Sequence, residues 1–369
     1  MKTPAAKPHA CPALLIAAPG SGTGKTTFTT GLARYHRNNG KRVKIFKIGP
    51  DFLDPMVLEQ ACGSPVHSLD LWMVGETRCQ ALLYDAAQNA DLILIEGAMG
   101  LYDGSPSAAD FAQRFNIPVL ALLDAKGQAQ TFGALAFGLA HYRPGIPFAG
   151  VVANHIGSVH HSNLLAESLP EGLSYFGGLP RDTSISLPER HLGLALATEV
   201  VDLESRIERC AAFIADTHLR ELPKPVLFER PDQANEDALQ NSLLRGKRIG
   251  VARDTAFAFV YQANIDLLKK MGAEIFYFSP LADTCLPEVD AIYLPGGYPE
   301  LHLESLSQNA AMRSSMHAFY AAHNPIYAEC GGMLYLLDSL ETKNKEIAPM
   351  LGLLPGHAVM QERLAALGL

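Results

Sequence analysis

The sequence contains few cysteines, a single tryptophan and no excess of positive charge. Its six cysteines are scattered and form no Cys-x-x-Cys pair, which argues against both a zinc site and a disulfide framework. A reducing cytoplasm is the compartment that this pattern favours. The formal net charge is −8, so the chain offers no basic surface for nucleic acid or for an anionic membrane. An anionic ligand would have to be bound by a local binding motif and not by a broad basic surface.

Long apolar runs without charge are also missing. The nearest one, VLALLDAKGQAQTFGALAFGLA, is interrupted by Asp124 and Lys126, and we do not expect it to cross a membrane. The N-terminal stretch has the look of a signal peptide, but its apolar run leads directly into SGTGKTT, which cleavage would separate from it. The apolar share of 48% and the charged share of 18% are those of a globular protein. A length of 369 residues suggests about two domains.

Short apolar runs alternate with helix-length amphipathic segments over the first 220 residues. The predicted strands are ALLIAAP, RVKIFKIG, DLILIEG, IPVLALLD and FAGVVANH, and two of the predicted helices span Lys25–Asn38 and Thr77–Asn89. Continuous apolar strands that alternate with helices are typical of a parallel sheet covered on both faces. We therefore predict an α/β domain over residues 1–220.

Proline and mixed charge then interrupt the pattern, which predicts a linker over residues 221–246. Alternation resumes in a second, smaller α/β domain over residues 247–369. Its predicted strands are KRIGVARD, EIFYFSP, DAIYLPGG and PIYAEC, with helices near 259–271 and 310–322.

A glycine-rich turn between the first strand and the first helix has the context of a phosphate-binding P-loop. Its glycines are Gly20, Gly22 and Gly24. Backbone N–H groups there can face phosphates, Lys25 can reach the outer phosphates, and the Thr26 hydroxyl can hold Mg²⁺. The strict pattern G-x-x-x-x-G-K-[ST] requires glycine where this chain has Pro19, so the loop is a variant.

Acidic residues follow two later strands. KIFKIGPDFLDP carries Asp51 and Asp54, and DLILIEGAMGLYDG carries Glu96 and Asp103. Ligands of open α/β folds bind at the carboxyl edge of the sheet, and an acid there, opposite a P-loop, typically serves Mg²⁺ directly or through water. The alternative for any one of these acids is a solvated loop residue or a helix cap. Asp70, in SLDLWM, is a weaker candidate.

The stretch PIYAECGGMLYL places Cys330 at a turn between a predicted strand and a predicted helix. A helix N-terminus stabilises a thiolate, which is the nucleophilic form of cysteine. The preceding strand ends in Gly296 and Gly297, whose backbone N–H groups are candidate donors to an oxyanion. The alternative is a buried structural cysteine, which is seldom set in a glycine turn of this kind.

Six motifs together resemble the cobyrinate a,c-diamide synthases, glutamine-dependent amidases of corrin biosynthesis. The motifs are SGTGKTT, FKIGPDFLDP, SLDLWM, EGAMGLYDG, LPGGYPELH and AECGGMLYL. That family joins a P-loop synthetase domain, similar to dethiobiotin synthetase, to a class I (triad) glutamine amidotransferase domain. The resemblance implies ATP-dependent amidation of the a and c carboxylates of cobyrinate, or of a close corrinoid, with glutamine or ammonia as the nitrogen donor.

The resemblance also implies roles for individual residues. Cys330 is expected to be the glutaminase nucleophile, with Gly296 and Gly297 as the oxyanion hole. The expected ATP-binding residues are Gly20, Gly22, Gly24, Lys25, Thr26 and Thr27, and the expected Mg²⁺ ligands are Thr26, Asp51 and Glu96. Lys47 is expected near the transferring phosphate, and Asp54 and Asp103 near the carboxylates that become amides.

The sequence departs from the family pattern at two points. Phe52-Leu53 stands where the family often has Tyr-Ile or Tyr-Leu, which leaves the preference among substrate carboxylates open. The family also carries its catalytic histidine in a late G-H-E-F-H-like segment that is absent here, so we expect an amidotransferase domain that is incomplete at its C-terminus and hydrolyses glutamine poorly. The histidines after residue 300 are His302, His317, His323 and His357. Only His357 is a candidate base among them.

Two alternatives remain open. A partitioning-type P-loop ATPase, which is a nucleotide-driven switch, would not need a second domain with Cys330. A synthetase for another tetrapyrrole, such as a nickel-sirohydrochlorin, cannot be separated from a cobyrinate enzyme by sequence. The expected partners are ATP, Mg²⁺, glutamine or ammonia and a corrinoid acid, without nucleic acid or membrane. Whether the chain forms a homodimer is open.

Overall fold

The fold is described from a computed structural model that covers residues 7–190, 193–194, 196–231 and 243–361. The chain divides into two compact units, Met1–Gln233 and Ala234–Leu369, and each is treated by itself. Among the residues described, no helix combines the length and the apolar character that a membrane span requires.

A parallel sheet organises the first unit. Its strands are β1 (His9–Ala17), β2 (Val43–Lys47), β3 (His67–Ser68), β4 (Leu92–Glu96), β5 (Val119–Asp124), β6 (Phe148–Ile156) and β7 (Tyr175–Pro180). They lie in the order β3-β2-β4-β1-β5-β6-β7, and each neighbouring pair is parallel. Every residue of β4 is buried, as a strand covered on both faces requires. The predicted parallel α/β sheet is confirmed.

Helices cover both faces of this sheet. They are α1 (Lys25–Asn38), α2 (Leu53–Cys62), α3 (Glu76–Asn89), α4 (Ala108–Arg114), α5 (Thr131–His141), α6 (Val159–Glu167) and α7 (Leu203–Ile214), with short 3-10 helices at Ala197–Glu199 and His218–Arg220. Side chains of α1, α2 and α7 share one apolar core with alternate residues of β1, β2 and β4. Side chains of α3 and α4 share a second core with the intervening residues of the same strands.

Three further strands belong to the first unit. β8 (Glu189–Arg190) and β9 (Gly193–Leu194) form an antiparallel pair, and β10 (Pro225–Phe228) runs antiparallel to the first residues of β1. β10 lies within the segment predicted as a linker, 221–246. Val226 and Phe228 enter the core because they are apolar residues at alternate positions of a strand. The first unit thus extends beyond residue 220, and residues 232–242 of the predicted linker lie outside the described part.

The second unit contains a four-stranded parallel sheet. Its strands are β11 (Arg248–Ala252), β12 (Glu274–Phe278), β13 (Ala291–Leu294) and β14 (Ile326–Ala328), in the order β12-β11-β13-β14. The helices are α8 (Gln262–Lys270), α9 (Leu303–Gln308), α10 (Ala310–Ala321) and α11 (Gly331–Leu336), with a 3-10 helix at Pro299–Leu301. A small sheet follows, formed by β15 (Ser339–Glu341), β16 (Ile347–Pro349) and β17 (His357–Val359), with β15 in the middle.

Candidate active sites

The loop between β1 and α1 has the shape of a phosphate cradle. Gly22 and Gly24 have φ angles of +72° and +89°, which favour glycine, and a Cβ on Gly24 would lie 2.5 Å from Nδ2 of Asn154. A Cβ on Gly20 would meet nothing within 4 Å, so this glycine is not required by space. Because α1 begins at Lys25, the N–H groups of its first turn are free of helical partners and suit an anion.

Lys25 connects the P-loop to the loop that follows β4. Its Nζ donates to the carbonyl of Gly20 at 2.9 Å and to the carbonyl of Met99 at 2.8 Å. Burial lowers the pKa of Lys25, and the charge of Glu96 opposes this effect. The lysine is therefore held by neutral groups at the carboxyl edge of the sheet.

Lys47, at the end of β2, is surrounded by carboxylates. Its Nζ lies 2.5 Å from Asp54, 2.7 Å from Glu96 and 3.4 Å from Asp51. Burial opposes the charged ammonium group, but Glu96, Asp54 and Asp51 together outweigh it and hold the pKa of Lys47 above its usual value. The sequence-predicted residues of β2, β4 and the start of α2 thus converge on one buried cation.

Glu96 and Thr26 meet beside this lysine. The Thr26 hydroxyl donates to Oε1 of Glu96 at 3.0 Å. Burial raises the pKa of Glu96, and the charge of Lys47 opposes the shift. Oε2 of Glu96 is buried, and no described residue offers it a hydrogen bond, so one oxygen of a fully buried carboxylate has unused capacity.

Asp51 and Asp103 have local roles as well. Oδ1 of Asp51 accepts from the N–H groups of Leu53 and Asp54, at 2.9 and 3.2 Å, so it stabilises the start of α2. Oδ2 of Asp103 accepts from the N–H of Gly100 at 2.8 Å, within its own loop. These contacts are the helix-cap and loop roles that were the alternative to metal binding. The other oxygen of Asp51, Oδ2, lies 3.4 Å from Nζ of Lys47.

The sequence prediction overlooked Asn154 near the end of β6. Its buried side chain donates from Nδ2 to the carbonyl of Thr23 in the P-loop, at 2.8 Å. The available signal was a polar residue near the carboxyl end of the strand FAGVVANH, the same argument that identified the acids. Thr27, predicted to bind ATP, lies in the first turn of α1, where its carbonyl accepts from the hydroxyl of Thr30.

Within the ranges that the structure describes, no three His, Cys, Asp or Glu side chains are arranged to hold a metal ion by themselves. The predicted set also includes the hydroxyl of Thr26, which donates to Glu96. Glu96 ends β4 and Asp51 precedes α2, and both carboxylates contact Nζ of Lys47.

Cys330 lies between β14 and α11 in a strained turn. Its backbone has φ +48° and ψ −118°, a conformation that non-glycine residues rarely adopt and that occurs at functional sites. The thiol-bearing residue is exposed. A Cβ at Gly332 would lie 2.2 Å from the carbonyl oxygen of Leu294, so the turn packs directly against the end of β13.

The Gly296 and Gly297 turn lies beside this cysteine. A Cβ at Gly296 would be 3.3 Å from Cβ and 3.5 Å from Sγ of Cys330, and a Cβ at Gly331 would be 2.9 Å from the backbone nitrogen of Gly297. The Gly296-Gly297 turn and the turn at Cys330 and Gly331 are thus in close contact beside the thiol. This proximity is what a backbone oxyanion hole requires.

Within the described residues, no histidine nitrogen forms a hydrogen bond with Cys330. His357 lies in β17, where its Nδ1 is 2.7 Å from the hydroxyl of Ser339 and its Nε2 is 3.3 Å from Glu341. Both ring nitrogens are therefore occupied within the small sheet. His302 closes the 3-10 helix at Pro299–Leu301 through its backbone N–H, consistent with a local structural role.

Two polar clusters near the cysteine turn were also overlooked. Asp254 accepts hydrogen bonds from two loops, those that follow β11 and β12. Glu329, directly before the cysteine, accepts from the hydroxyls of Tyr293 and Tyr327. Burial and the carboxylate of Glu329 raise the pKa of Tyr293. No local sequence pattern indicates either cluster, because Ser279 and Tyr293 are distant in the chain from the carboxylates to which they donate.

Two family models match this chain, one within each of its two units. Residues 14–194 match the CobQ/CobB/MinD/ParA nucleotide binding domain, and residues 248–367 match the CobB/CobQ-like glutamine amidotransferase domain. The hydrogenobyrinate a,c-diamide synthase of Stutzerimonas stutzeri (strain A1501) is 58% identical over 97% of this chain and 83% of that protein. The chain belongs to the a,c-diamide synthase family.

Another relative in this family carries a different substrate in its name. The cobyrinate a,c-diamide synthase of Herminiimonas arsenicoxydans is 45% identical over 96% of this chain and 80% of that protein. Among solved structures, the signal recognition particle receptor FtsY from Elizabethkingia anophelis aligns with a TM-score of 0.35 and 16% identity, over 47% of this chain and 58% of that one. This last likeness is too weak to carry an argument.

Proposed function

We propose that this a,c-diamide synthase family member uses ATP to convert the a and c carboxylates of cobyrinate, or of a close corrinoid acid, into amides in cobalamin biosynthesis. The nitrogen comes from glutamine or from free ammonia, and the reaction takes place in the cytoplasm. The observation that carries the proposal is the presence of two chemically distinct sites in one chain. One combines a phosphate cradle with two buried lysines, and the other combines an exposed cysteine in a strained turn with a backbone N–H turn beside it.

A carboxylate needs activation before ammonia can replace one of its oxygens. In the proposed first step, a carboxylate oxygen of the substrate attacks the γ-phosphorus of ATP, and the bond to the β,γ-bridging oxygen breaks. The products are an acyl phosphate and ADP. Lys25 and Lys47 would neutralise the charge that develops on the phosphoryl group. Asp54, held by Lys47, is suited to position the incoming acid.

The residues at this edge fit a divalent cation. Oε2 of Glu96 is buried and accepts no hydrogen bond from the described residues, and Thr26 donates to the other oxygen of the same carboxylate. Glu96, Asp54 and Asp51 surround Lys47, and Asp103 lies near Lys25, so two lysines meet four carboxylates and the cluster carries an excess of negative charge. Thr26, Asp51 and Glu96 would hold Mg²⁺, which would supply charge neutralisation on the phosphates.

Ammonia then attacks the acyl carbon, phosphate leaves, and loss of a proton gives the amide. At the second site, the thiolate of Cys330 attacks the side-chain amide carbon of glutamine. The C–N bond then breaks as the nitrogen takes a proton from water, which gives a thioester, ammonia and hydroxide. Water then hydrolyses the thioester to glutamate. The N–H groups of the Gly296 and Gly297 turn would stabilise the oxyanion in both steps. Two rounds at the synthetase site give the diamide.

The decisive test measures ATP-dependent amide formation with ammonium as the nitrogen source. We expect Lys25→Ala to abolish amidation while Cys330→Ala retains the ammonium-dependent rate, because each residue serves one site. A Lys25→Ala variant with the wild-type rate would refute the ATP site. A Cys330→Ala variant whose glutamine-dependent amidation matched the wild-type rate would refute the glutaminase site.

The identity of the tetrapyrrole is tested in the same assay. Hydrogenobyrinate, cobyrinate and nickel-sirohydrochlorin are supplied in turn, and ADP and amide are both quantified. We expect amidation of a corrinoid acid at the highest kcat/KM. ATP turnover that ignores every acid would instead favour the nucleotide-driven switch.

Metal dependence completes the test of the synthetase site. We expect Asp51→Asn and Glu96→Gln to raise the Mg²⁺ concentration needed for half-maximal amidation, because each removes a negative charge that faces the metal. Unchanged half-saturation and rate in both variants would mean that these acids are structural.

A further inference from the structure

The only tryptophan of the chain is exposed to solvent. Trp72 has a relative exposure of 83%, although a large aromatic ring is costly to leave in water. Its turn is nevertheless well held. Oδ1 of Asp70 accepts from the N–H groups of Trp72 and Met73, at 2.8 and 2.7 Å, and the carbonyl of Asp70 accepts from Val74. An exposed aromatic ring on a hydrogen-bonded turn suggests a surface prepared for a ligand.

The position of this turn relates Trp72 to the synthetase site. Leu69, which is fully buried, donates its backbone N–H to the carbonyl of Lys47 at 2.8 Å. Three residues of chain span at most about 11 Å, so Trp72 remains close to the end of β2. The aspartate predicted as a weak ligand candidate, Asp70, thus shapes the turn that presents this ring.

A second exposed apolar side chain belongs to the loop that follows β4, the strand on the other side of β2 from β3. Met99, in the loop after β4, is about half exposed and has φ +49°, an uncommon conformation for a non-glycine residue. Its carbonyl is fixed by Lys25. Since β2 lies between β3 and β4, the loops that carry Trp72 and Met99 start roughly 10 Å apart, two strand spacings.

We propose that Trp72 and Met99 form the docking surface for the tetrapyrrole ring, which stacks on Trp72 and directs a carboxylate arm at Lys47 and Lys25. A tetrapyrrole acid is a wide, flat ring with apolar faces and a rim of carboxylates. The apolar faces match an exposed indole and a thioether in the loops after β3 and β4. A carboxylate arm can enter the cluster around Lys25 and Lys47 once Mg²⁺ offsets the excess of negative charge there. This inference rests on the proposed function and assigns its substrate a binding surface.

Steady-state kinetics with ammonium as the nitrogen donor and hydrogenobyrinate as the varied substrate test the proposal. We expect Trp72→Ala to raise the KM for the tetrapyrrole at least about fivefold, as loss of one aromatic stacking partner does in nucleic-acid binding proteins, with the KM for ATP unchanged. Trp72→Phe retains a flat apolar ring and should recover most of the affinity. Met99→Ala should raise the same KM by a smaller factor.

Tyr142→Ala is the matched control. Tyr142 is also a largely exposed aromatic residue of the first unit. It follows α5, and its ring contacts Tyr102 at a centroid distance of 4.9 Å, so it does not belong to the turn after β3 that presents Trp72. We expect this variant to keep the wild-type KM for both substrates.

Fluorescence provides a readout that does not require turnover. Because Trp72 is the only tryptophan, its emission should be quenched saturably by hydrogenobyrinate, at a concentration close to the KM and beyond the effect on free N-acetyltryptophanamide. Unchanged KM in Trp72→Ala, or no saturable quenching while wild-type amidation saturates, would overturn the inference. A change in sedimentation of Trp72→Ala with the KM unchanged would also overturn it, in favour of a second copy of the chain on this surface. Absence of amidation by the wild type with every tetrapyrrole acid would instead refute the proposed function.

Discussion

Lys47 and Glu96 form a buried ion pair, with Nζ 2.7 Å from Oε1 and side-chain exposures of 3% and 0%. The two residues are direct partners in the register of β2 and β4, so the sheet itself brings them together. Asp54 and Asp51 share the same ammonium group. Lys47 is therefore required by the fold as well as expected in the chemistry.

Replacing Lys47 by methionine should destabilise the first unit strongly. The change would leave three carboxylates around a site without its central cation, and removal of one partner from a buried pair costs about 3–5 kcal/mol. Urea unfolding followed by circular dichroism measures this loss. Lys126→Met, at an exposed loop position of the same unit, is the control and should change stability by less than about 0.5 kcal/mol. Equal stability of Lys47→Met and wild type would contradict the prediction.

The sequence predicts this edge of the sheet well but not its contacts. Asp51, Asp54 and Glu96 were recognisable because each follows an apolar strand, and parallel strands end at a common edge. Their convergence on Lys47 depends on strand order and register, which no local pattern contains. Asp254 and Asn154 escaped prediction for a similar reason, since Ser279 and Leu281 are far from Asp254 in sequence and Thr23 is far from Asn154. Gly20 shows the opposite case. It is a glycine of the motif, but the described residues around it leave room for a Cβ.

Close packing of α1 against α7 leads to a second prediction. A Cβ on Gly31 would lie 2.4 Å from Sγ and 3.0 Å from Cβ of Cys210, and overpacking of this kind typically costs about 1–3 kcal/mol. Gly31→Ala should therefore lower the free energy of unfolding of the first unit. It should also weaken ATP binding, because α1 begins at the P-loop lysine.

Gly138→Ala is the matched control for this experiment. Gly138 also lies within a helix, α5, but a Cβ there would meet nothing within 4 Å. Alanine is the better helix former, so this variant should be stabilised by up to about 1 kcal/mol. If Gly31→Ala behaved like Gly138→Ala, the packing of α1 on α7 would be looser than the structure indicates.

The lowered pKa of Asp110 leads to a prediction about how the stability of the first unit depends on pH. Arg143, together with Ser107, lowers the pKa of Asp110 from 3.8 to about 2, and Asp110 and Ser107 form the capping box of α4. A carboxyl whose folded-state pKa is depressed stabilises the fold above its unfolded pKa, and this contribution is lost as pH falls from about 4 towards 2. The stability difference between wild type and Asp110→Asn should be full at pH 6 and shrink at pH 3.

Urea unfolding at pH 6, 4 and 3 measures this dependence. Arg143→Ala should reduce the same pH dependence, because the hydrogen bond from the Arg143 guanidinium is the largest contribution to the lowered pKa of Asp110. A difference between wild type and Asp110→Asn that stayed constant from pH 6 to pH 3 would show that Asp110 has an ordinary pKa in the folded protein.

Asp254 is expected to support the cysteine site without touching the thiol. Oδ1 accepts from the N–H groups of Ala256 and Phe257, and Oδ2 accepts from the hydroxyl of Ser279 and the N–H of Leu281. These bonds fix the loop that continues to Phe259, whose N–H donates to the carbonyl of Gly296 at 3.0 Å. Gly296 lies against Cys330. The carboxylate thus holds the turn that would form the oxyanion hole.

Asp254→Asn should slow the reaction of Cys330 with a glutamine-shaped electrophile while ammonium-dependent amidation continues at the wild-type rate. The amide can accept for only one of the two loops, and loss of one buried partner costs about 1–3 kcal/mol. Covalent labelling by 6-diazo-5-oxo-L-norleucine, followed by peptide mass spectrometry, measures the rate at Cys330. Alkylation of Cys285 by iodoacetamide serves as the reference, because it is the other exposed cysteine. Asp283→Asn, which alters an exposed acceptor of the Ser279 N–H, should label Cys330 normally. Equal labelling of Cys330 in Asp254→Asn and wild type would show that the loop holds its shape without this carboxylate.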